Sequence, residues 1–251
     1  MSSMQQTLNQ LRDLRLSVMA DALQQQVQQP RLHELAFEER LALLVDQEWS
    51  ERQSRKMKRL IRVAGLPEMA SLEELDSRPN RGLDKAAIAS LATCDWMRRQ
   101  QNLIILGATG VGKTWLACAF ANQACRSKLT VKFSRASELI AEIATASLDG
   151  SLPKLKLALA KPTLLVIDDL GLGQMTANAA QVLLDIVDRR MRTGALLITS
   201  QYPSDQWHAM FPDPTVADAI LDRVVHQAHR LQLKGESMRK VQAKAKMKLP
   251  D

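Results

Sequence analysis

Hydrophobic side chains between residues 5 and 28 fall at spacings that are compatible with one face of an amphipathic helix. The stripe consists of Leu8, Leu11, Val18, Leu23 and Val27. Pro30 closes this segment, and a second helical pattern runs from about Phe37 to Gly65. We therefore predict a small all-α domain over residues 1–70.

From residue 102 the pattern changes to short apolar runs that alternate with amphipathic segments. The predicted strands are Leu103–Leu106, Thr130–Ser134, Leu164–Ile167, Leu196–Thr199 and His229–Leu233, and the predicted helices cover about 115–128, 136–146, 176–192 and 216–227. Such alternation indicates an α/β fold, with a parallel sheet flanked by helices. We assign residues 71–100 to a linker, 101–240 to the α/β domain and 241–251 to a basic tail.

Composition adds a partner class to this picture. The formal charge is +7 and the pI about 9.5, which favours a polyanionic partner, nucleic acid before acidic membrane. The three cysteines form no CxxC motif, which argues against a secreted disulfide-bonded fold. The N-terminus is polar and no apolar run reaches the ~20 residues that span a bilayer. We expect a cytoplasmic protein without a membrane partner.

The turn after the first predicted strand matches the pattern G-x-x-x-x-G-K-[ST] in full. This turn, a P-loop, comprises Gly107, Ala108, Thr109, Gly110, Val111, Gly112, Lys113 and Thr114. The glycines allow successive N–H groups to point inward, and the next helix directs its positive end at the same place. Lys113 would neutralise phosphates, Thr114 would bind Mg²⁺, and Trp115 would line the site. The alternative is a chance Gly-rich turn, but the strand and helix around the motif favour an ATP and Mg²⁺ site.

Two later strands end in polar residues. The apolar run Leu164–Ile167 is followed by Asp168 and Asp169, at the edge of the sheet where ligands bind in open α/β folds. Asp168 would hold Mg²⁺ and Asp169 would orient the attacking water, although two acids can also simply cap a strand. The next strand ends in Thr199-Ser200-Gln201, of which Gln201 is our preferred γ-phosphate sensor; the alternative is a polar turn.

Two arginines downstream are candidates for phosphate contacts. Arg223 lies on an otherwise apolar helical segment and could act as an arginine finger toward a neighbouring subunit; the alternative is a local ion pair with Asp222 or Asp218. Arg239 could be a second sensor in its own subunit or merely a residue of the basic tail.

The best nucleic-acid candidate is a basic run with no acid between residues 52 and 62. Its members on one side of a helix are Arg52, Arg55, Lys56, Arg59 and Arg62. Such a face can neutralise phosphates without reading sequence, although a charged face can also be merely solvated. Lys132 and Arg135 belong to a second, weaker basic cluster.

The motifs together resemble the IstB-like ATP-binding proteins, transposition helpers of bacterial insertion sequences in the AAA+ superfamily, near DnaC and DnaA. The resemblance covers nearly the whole chain. It rests on Leu14-Arg15-Leu16 with Ser17, Glu38-Glu39-Arg40-Leu41, Gly107–Thr114, Val166-Ile167-Asp168-Asp169-Leu170-Gly171, Ile198-Thr199-Ser200-Gln201, Ile220-Leu221-Asp222-Arg223 and Gly235-Glu236-Ser237-Met238-Arg239.

This resemblance implies an AAA+ module behind an all-α DNA-binding domain, ATP-dependent self-assembly on duplex DNA, and help to a partner transposase in selecting its target. It assigns Lys113, Thr114, Asp168 and Asp169 to the nucleotide site and Arg223 to the finger. Asp169 stands where many AAA+ proteins carry Glu, which implies slow hydrolysis. Alternatives are a DnaC-like helicase loader, a non-hydrolysing ATP-gated scaffold on DNA and, in a different class, a P-loop small-molecule kinase.

Overall fold

The computed structural model describes residues 3–76, 81–226 and 228–238. The chain forms two compact units, Met1–Arg59 and Leu60–Asp251. The second unit begins well before residue 101, where the sequence pattern places the start of the α/β domain. No helix of the described residues is long and apolar enough to cross a bilayer.

The first unit is helical, as predicted, but its front segment is broken. Its elements are α1 (Ser3–Asp13), α2 (Ser17–Gln28), a 3₁₀ turn (Pro30–Glu34) and α3 (Phe37–Ala64), which continues past the unit boundary. The helical character predicted over residues 5–28 is confirmed, but the apolar stripe is divided between α1 and α2. Arg15 has φ 60°, and Leu16 N–H donates to the Leu11 carbonyl at 2.8 Å, which is the bonding of a left-handed helix terminus.

The second unit is built on one parallel sheet. Its strands are β1 (Asn102–Gly107), β2 (Val131–Arg135), β3 (Leu164–Leu170), β4 (Ala195–Ser200) and β5 (Ala228–Leu233), in the spatial order β2-β3-β4-β1-β5. All pairings are parallel. The predicted strands and the fold class are confirmed. Because β4 lies between β1 and β3, the P-loop strand and the Asp168 strand are separated by the strand that carries Thr199.

Helices cover both faces of this sheet. They are α4 (Lys85–Ala92), α5 (Asp95–Arg98), α6 (Lys113–Arg126), α7 (Ala136–Asp149), α8 (Leu152–Ala160), α9 (Ala177–Arg190) and α10 (Pro214–Val225), with 3₁₀ turns at Leu72–Glu74 and Ser204–Met210. Alternate residues of β1 face opposite layers, as the pleat requires. Leu103 and Ile105 pack with the layer that includes α6, whereas Ile104 and Leu106 pack with the layer that includes α9.

Two parts of this architecture differ from the sequence prediction. Helix α8 was not predicted, because its Lys-Leu-Lys-Leu stretch alternates like a strand. Residues 71–100 were predicted to be a linker, yet α4 and α5 belong to the core: Ile88 is 9% exposed, and Trp96 is 3% exposed and donates its indole N–H to the Leu91 carbonyl. The short length of these helices hid their burial.

Candidate nucleotide-binding site

The P-loop connects β1 to α6 and has the torsions that an anion nest needs. Gly110 and Gly112 have φ of 84° and 98°, a region that L-residues with side chains rarely adopt. Lys113 is 6% exposed, and its Nζ donates to the Ala108 carbonyl at 3.1 Å. Burial lowers the pKa of the Lys113 ammonium, while the nearby carboxylates of Asp169 and Asp168 oppose the shift. This cation therefore faces the interior of the loop.

The buried carboxylate of Asp168 connects strands β3 and β4 with the residue that ends the P-loop. Asp168 is fully buried near the carboxyl end of β3 and accepts hydrogen bonds from Thr114 at 2.9 Å and from Thr199 at 2.6 Å. Burial raises the pKa of Asp168, and the bonds from Thr199 and Thr114 act in the opposite direction. One carboxylate and one hydroxyl beside a phosphate nest are the hard oxygen ligands that suit Mg²⁺. Within the described ranges no three His, Cys, Asp or Glu residues cluster as a self-sufficient metal cage.

Asp169 is set apart from Asp168 by its backbone. Its φ is 57°, and the ladder between β3 and β4 shifts register between Ile167 and Leu170. The Asp169 N–H donates to Thr199 Oγ1 at 2.8 Å, which fixes this turn. Because Asp and Asn tolerate the left-handed region better than most residues, the backbone itself favours a short acid at this position.

Gln201, the predicted sensor, lies against the P-loop. Its Oε1 accepts a hydrogen bond from Thr109 Oγ1 at 2.8 Å, so the end of the β4 segment contacts the nest directly. Thr199 is fully buried and contacts both acids of β3 instead. Trp115, in the first turn of α6, is half-buried and packs against the core.

Comparison with known proteins identifies the lineage. The sequence model of the IstB-like ATP binding protein family matches residues 9–246. The chain belongs to this family. It is 41% identical to the insertion sequence ATP-binding protein y4pL of Sinorhizobium fredii over 236 residues, covering 94% of this chain and 96% of that protein. The family resemblance drawn from the motifs is thereby confirmed.

Solved structures share the fold of this IstB-like protein. The crystal structure of DnaI has a TM-score of 0.55 and 22% identity, covering 70% of this chain and 94% of that one. The structure of DnaA bound to AMPPCP and single-stranded DNA has a TM-score of 0.57 and 16% identity, covering 73% of this chain and 56% of that one. Both likenesses concern the fold alone.

In this IstB-like chain Arg223 lies at the sheet edge opposite the P-loop. The Arg223 backbone carbonyl accepts a hydrogen bond from Asn102 at the start of β1. The P-loop follows the other end of this strand, and a strand of six residues is about 20 Å long. Its side chain pairs with Asp188 of α9 rather than with the predicted alternatives. Asp222 and Asp218 instead face His226 and His208. Arg239 lies outside the described residues.

The basic run on α3 is exposed, but two of its members are engaged locally. Arg52 pairs with Glu48 at 2.7 Å and donates to the Arg15 carbonyl at 2.6 Å. Arg55 pairs with Glu51 at 2.7 Å. Both acids precede the acid-free run, so the charge pattern within the run could not reveal them. Lys56, Arg59 and Arg62 are exposed on the same helix.

The second basic cluster divides between two environments. Lys132 is half-buried within β2, whereas Arg135 is exposed at the end of that strand. The β2–β3 register pairs Arg135 with Asp168, which puts this cation at the sheet edge that carries the nucleotide-site residues. The charge pattern of the sequence predicts only a nucleic-acid contact for Arg135.

Proposed function

We propose that this IstB-like protein is a DNA-binding ATPase that assembles on duplex DNA and helps a transposase to use its target. The observation that carries the proposal is the contact of Thr114 and Thr199 with the buried Asp168 beside a complete P-loop. This arrangement matches what MgATP requires: an anion nest, a cation and oxygen ligands for a divalent ion.

In the proposed reaction, the P-loop N–H groups and Lys113 bind the β- and γ-phosphates. Thr114 and Asp168 would hold Mg²⁺, and the bound ion would supply positive charge against the charge that develops on the phosphates. Asp169 orients the water for attack on the γ-phosphate, and Gln201 contacts the γ-phosphate from the side of Thr109. The short side chain of Asp169 supports slow turnover, as suits a timing switch.

Arg223 supports self-assembly as part of the proposal. The side chain cannot reach the P-loop of its own chain across the length of β1, so any contact with nucleotide must be made in another copy. We therefore expect ATP to lie between subunits, with Arg223 of one beside Lys113 of the next. DNA would contact the exposed Lys56, Arg59 and Arg62, whose charges give affinity without sequence readout.

The names of the relatives, which are insertion sequence ATP-binding proteins, support the proposal of a transposase as the partner. A helicase-loading role in the manner of DnaC is the alternative within the same superfamily, and pull-down with a transposase or a replicative helicase separates them. A small-molecule kinase would require no DNA affinity, so DNA-independent phosphoryl transfer to a metabolite would overturn the proposal.

A complementation experiment tests the shared site. Arg223→Ala and Asp169→Asn should each lose phosphate release in the presence of DNA, for different reasons. If the finger acts between chains, mixing the two variants creates some sites with an intact Asp169 and a neighbour's intact Arg223, and activity returns in part. Arg192→Ala, an exposed arginine near Arg223, is the matched control and should keep activity.

The outcomes are distinct. No recovery on mixing, with both variants still assembling, would refute the intersubunit site. Unchanged assembly and DNA binding in Lys113→Ala would refute ATP control of the assembly. Normal ATP binding without any phosphate release on DNA would favour the non-hydrolysing scaffold instead.

A further inference from the structure

Arg81 is a buried cation that contacts the P-loop from outside the motif. It precedes α4, is 6% exposed, and donates from Nη2 to the Val111 carbonyl at 2.6 Å. Its own carbonyl accepts the N–H of Lys234, just after β5, at 2.9 Å. A Cβ on Gly112 would lie 3.4 Å from Arg81 Nη2, so the guanidinium lies directly against the loop.

The contact with Val111 determines where the next N–H points. In a trans peptide the C=O and the following N–H point in opposite directions. Because Arg81 draws the Val111 carbonyl toward itself, the Gly112 N–H is turned away from Arg81. The same holds one peptide earlier, where Met238 N–H donates to the Gly110 carbonyl at 2.9 Å. Two donors from outside the motif thus orient two successive P-loop peptides.

The charge of Arg81 has no counter-charge within the part of the chain that the structure describes. Among the described residues its guanidinium forms no ion pair, and Nε is buried without a hydrogen-bond partner. A buried charge without compensation is unfavourable unless an opposite charge comes close. The loop that Arg81 contacts is built to bind a polyanion, whose phosphates would supply that charge.

We propose that Arg81 is a further nucleotide-site residue, which positions the Val111–Gly112 peptide for phosphate binding and whose charge is balanced by the bound polyphosphate. The inference rests on the proposed nucleotide binding and adds a residue that the P-loop motif does not contain. Arg81 is a positioning residue, because its side chain contacts the loop and not a reacting atom.

Arg81→Gln in the full chain separates this role from a structural one. Gln can still donate a hydrogen bond but carries no charge, so the ligand-free protein should unfold at the same temperature as the wild type or higher. Affinity for ATP, for ADP and for inorganic tripolyphosphate should each fall by about tenfold or more, the usual size of a lost charge-assisted contact. Arg126→Gln, which removes an exposed arginine paired with Glu73, is the control and should alter none of the three affinities.

Each outcome decides. Unchanged tripolyphosphate affinity in Arg81→Gln overturns the inference, and so does a lower melting temperature with an unchanged ligand-induced shift, which is the result of a purely structural role. Should Arg81→Gln not fold, Arg81→Lys keeps the charge without the planar guanidinium, and wild-type affinity with an unaltered melting temperature would then overturn the positioning role. Failure of the wild type to bind any of the three ligands would refute the proposed function itself.

Discussion

Thr199→Val is the sharpest test of the site, because it exchanges a hydroxyl for a methyl group of similar size at a fully buried position. In the wild type the hydroxyl donates to Asp168 at 2.6 Å and accepts the Asp169 N–H at 2.8 Å. The substitution removes the first bond and leaves the Asp169 N–H without its partner. It alters no other side chain of the site.

The expected magnitude follows from these two bonds. A hydrogen bond to a charged group contributes about 1.5–3 kcal/mol, and an unsatisfied buried N–H costs about 1–3 kcal/mol. The two effects share one atom and are not additive, so we expect the free energy of unfolding to fall by about 2–3 kcal/mol. The pKa of Asp168, which burial already raises, should rise further without the bond from Thr199. Mg²⁺ binds the ionised carboxylate. When the pH is lowered, the variant should therefore lose its Mg²⁺-dependent nucleotide affinity at a higher pH than the wild type does.

Urea denaturation of the ligand-free protein measures the first effect, and nucleotide titrations with and without Mg²⁺ across pH measure the second. Thr193→Val is the control, because Thr193 is exposed and its hydroxyl bonds only to a carbonyl one turn earlier. Wild-type stability together with an unshifted Mg²⁺ profile in Thr199→Val would refute the reasoning.

Three further predictions concern other parts of the chain. Arg190→Met should lower the free energy of unfolding by about 3 kcal/mol in urea denaturation, because it deprives several buried carbonyls of their donor; a change under about 1 kcal/mol would contradict this. Burial raises the pKa of Cys118 to about 12 and of Cys125 to about 11, so both thiols should resist iodoacetamide at pH 8 until urea is added, and rapid labelling of the native protein would show otherwise. Arg52→Ala should lower stability by about 1 kcal/mol, whereas Lys56→Ala should leave it unchanged and reduce the salt dependence of DNA binding; equal effects on stability would refute this division.

Local patterns determined what the sequence could predict well. Three of the five strands, β1, β3 and β4, contain short apolar runs, and the central strand β4 is buried at every position, which leaves a strong signal. The P-loop residues are adjacent in the chain, so their joint role can be read from one motif. The sequence also predicts that Asp168 and the end of β4 lie close together, because parallel strands bring their carboxyl ends to one edge of the sheet.

Contacts between distant segments left no such signal. The break before α2 depends on a left-handed Arg15 where glycine is the usual residue. Arg52 looks like its basic neighbours until Glu48 and the Arg15 carbonyl are placed beside it. Arg81 lies 26 residues before the P-loop begins at Gly107, and only the fold brings it to Val111. In each case the structure depends on a backbone group or on a residue that the local sequence pattern does not include.

At the amino ends of the strands, contacts between distant segments hold the side chain of Arg223 in place. Arg190, at the end of α9, is 1% exposed and donates to carbonyls on both sides of it, including Leu159 and Ala195. Two positions earlier, Asp188 holds the side chain of Arg223. The ion pair with Asp188 therefore restrains the Arg223 side chain on α9, at the edge of the sheet opposite the candidate nucleotide site. If Arg223 contacts a neighbouring copy as we propose, this restraint would hold the cation in place for that contact.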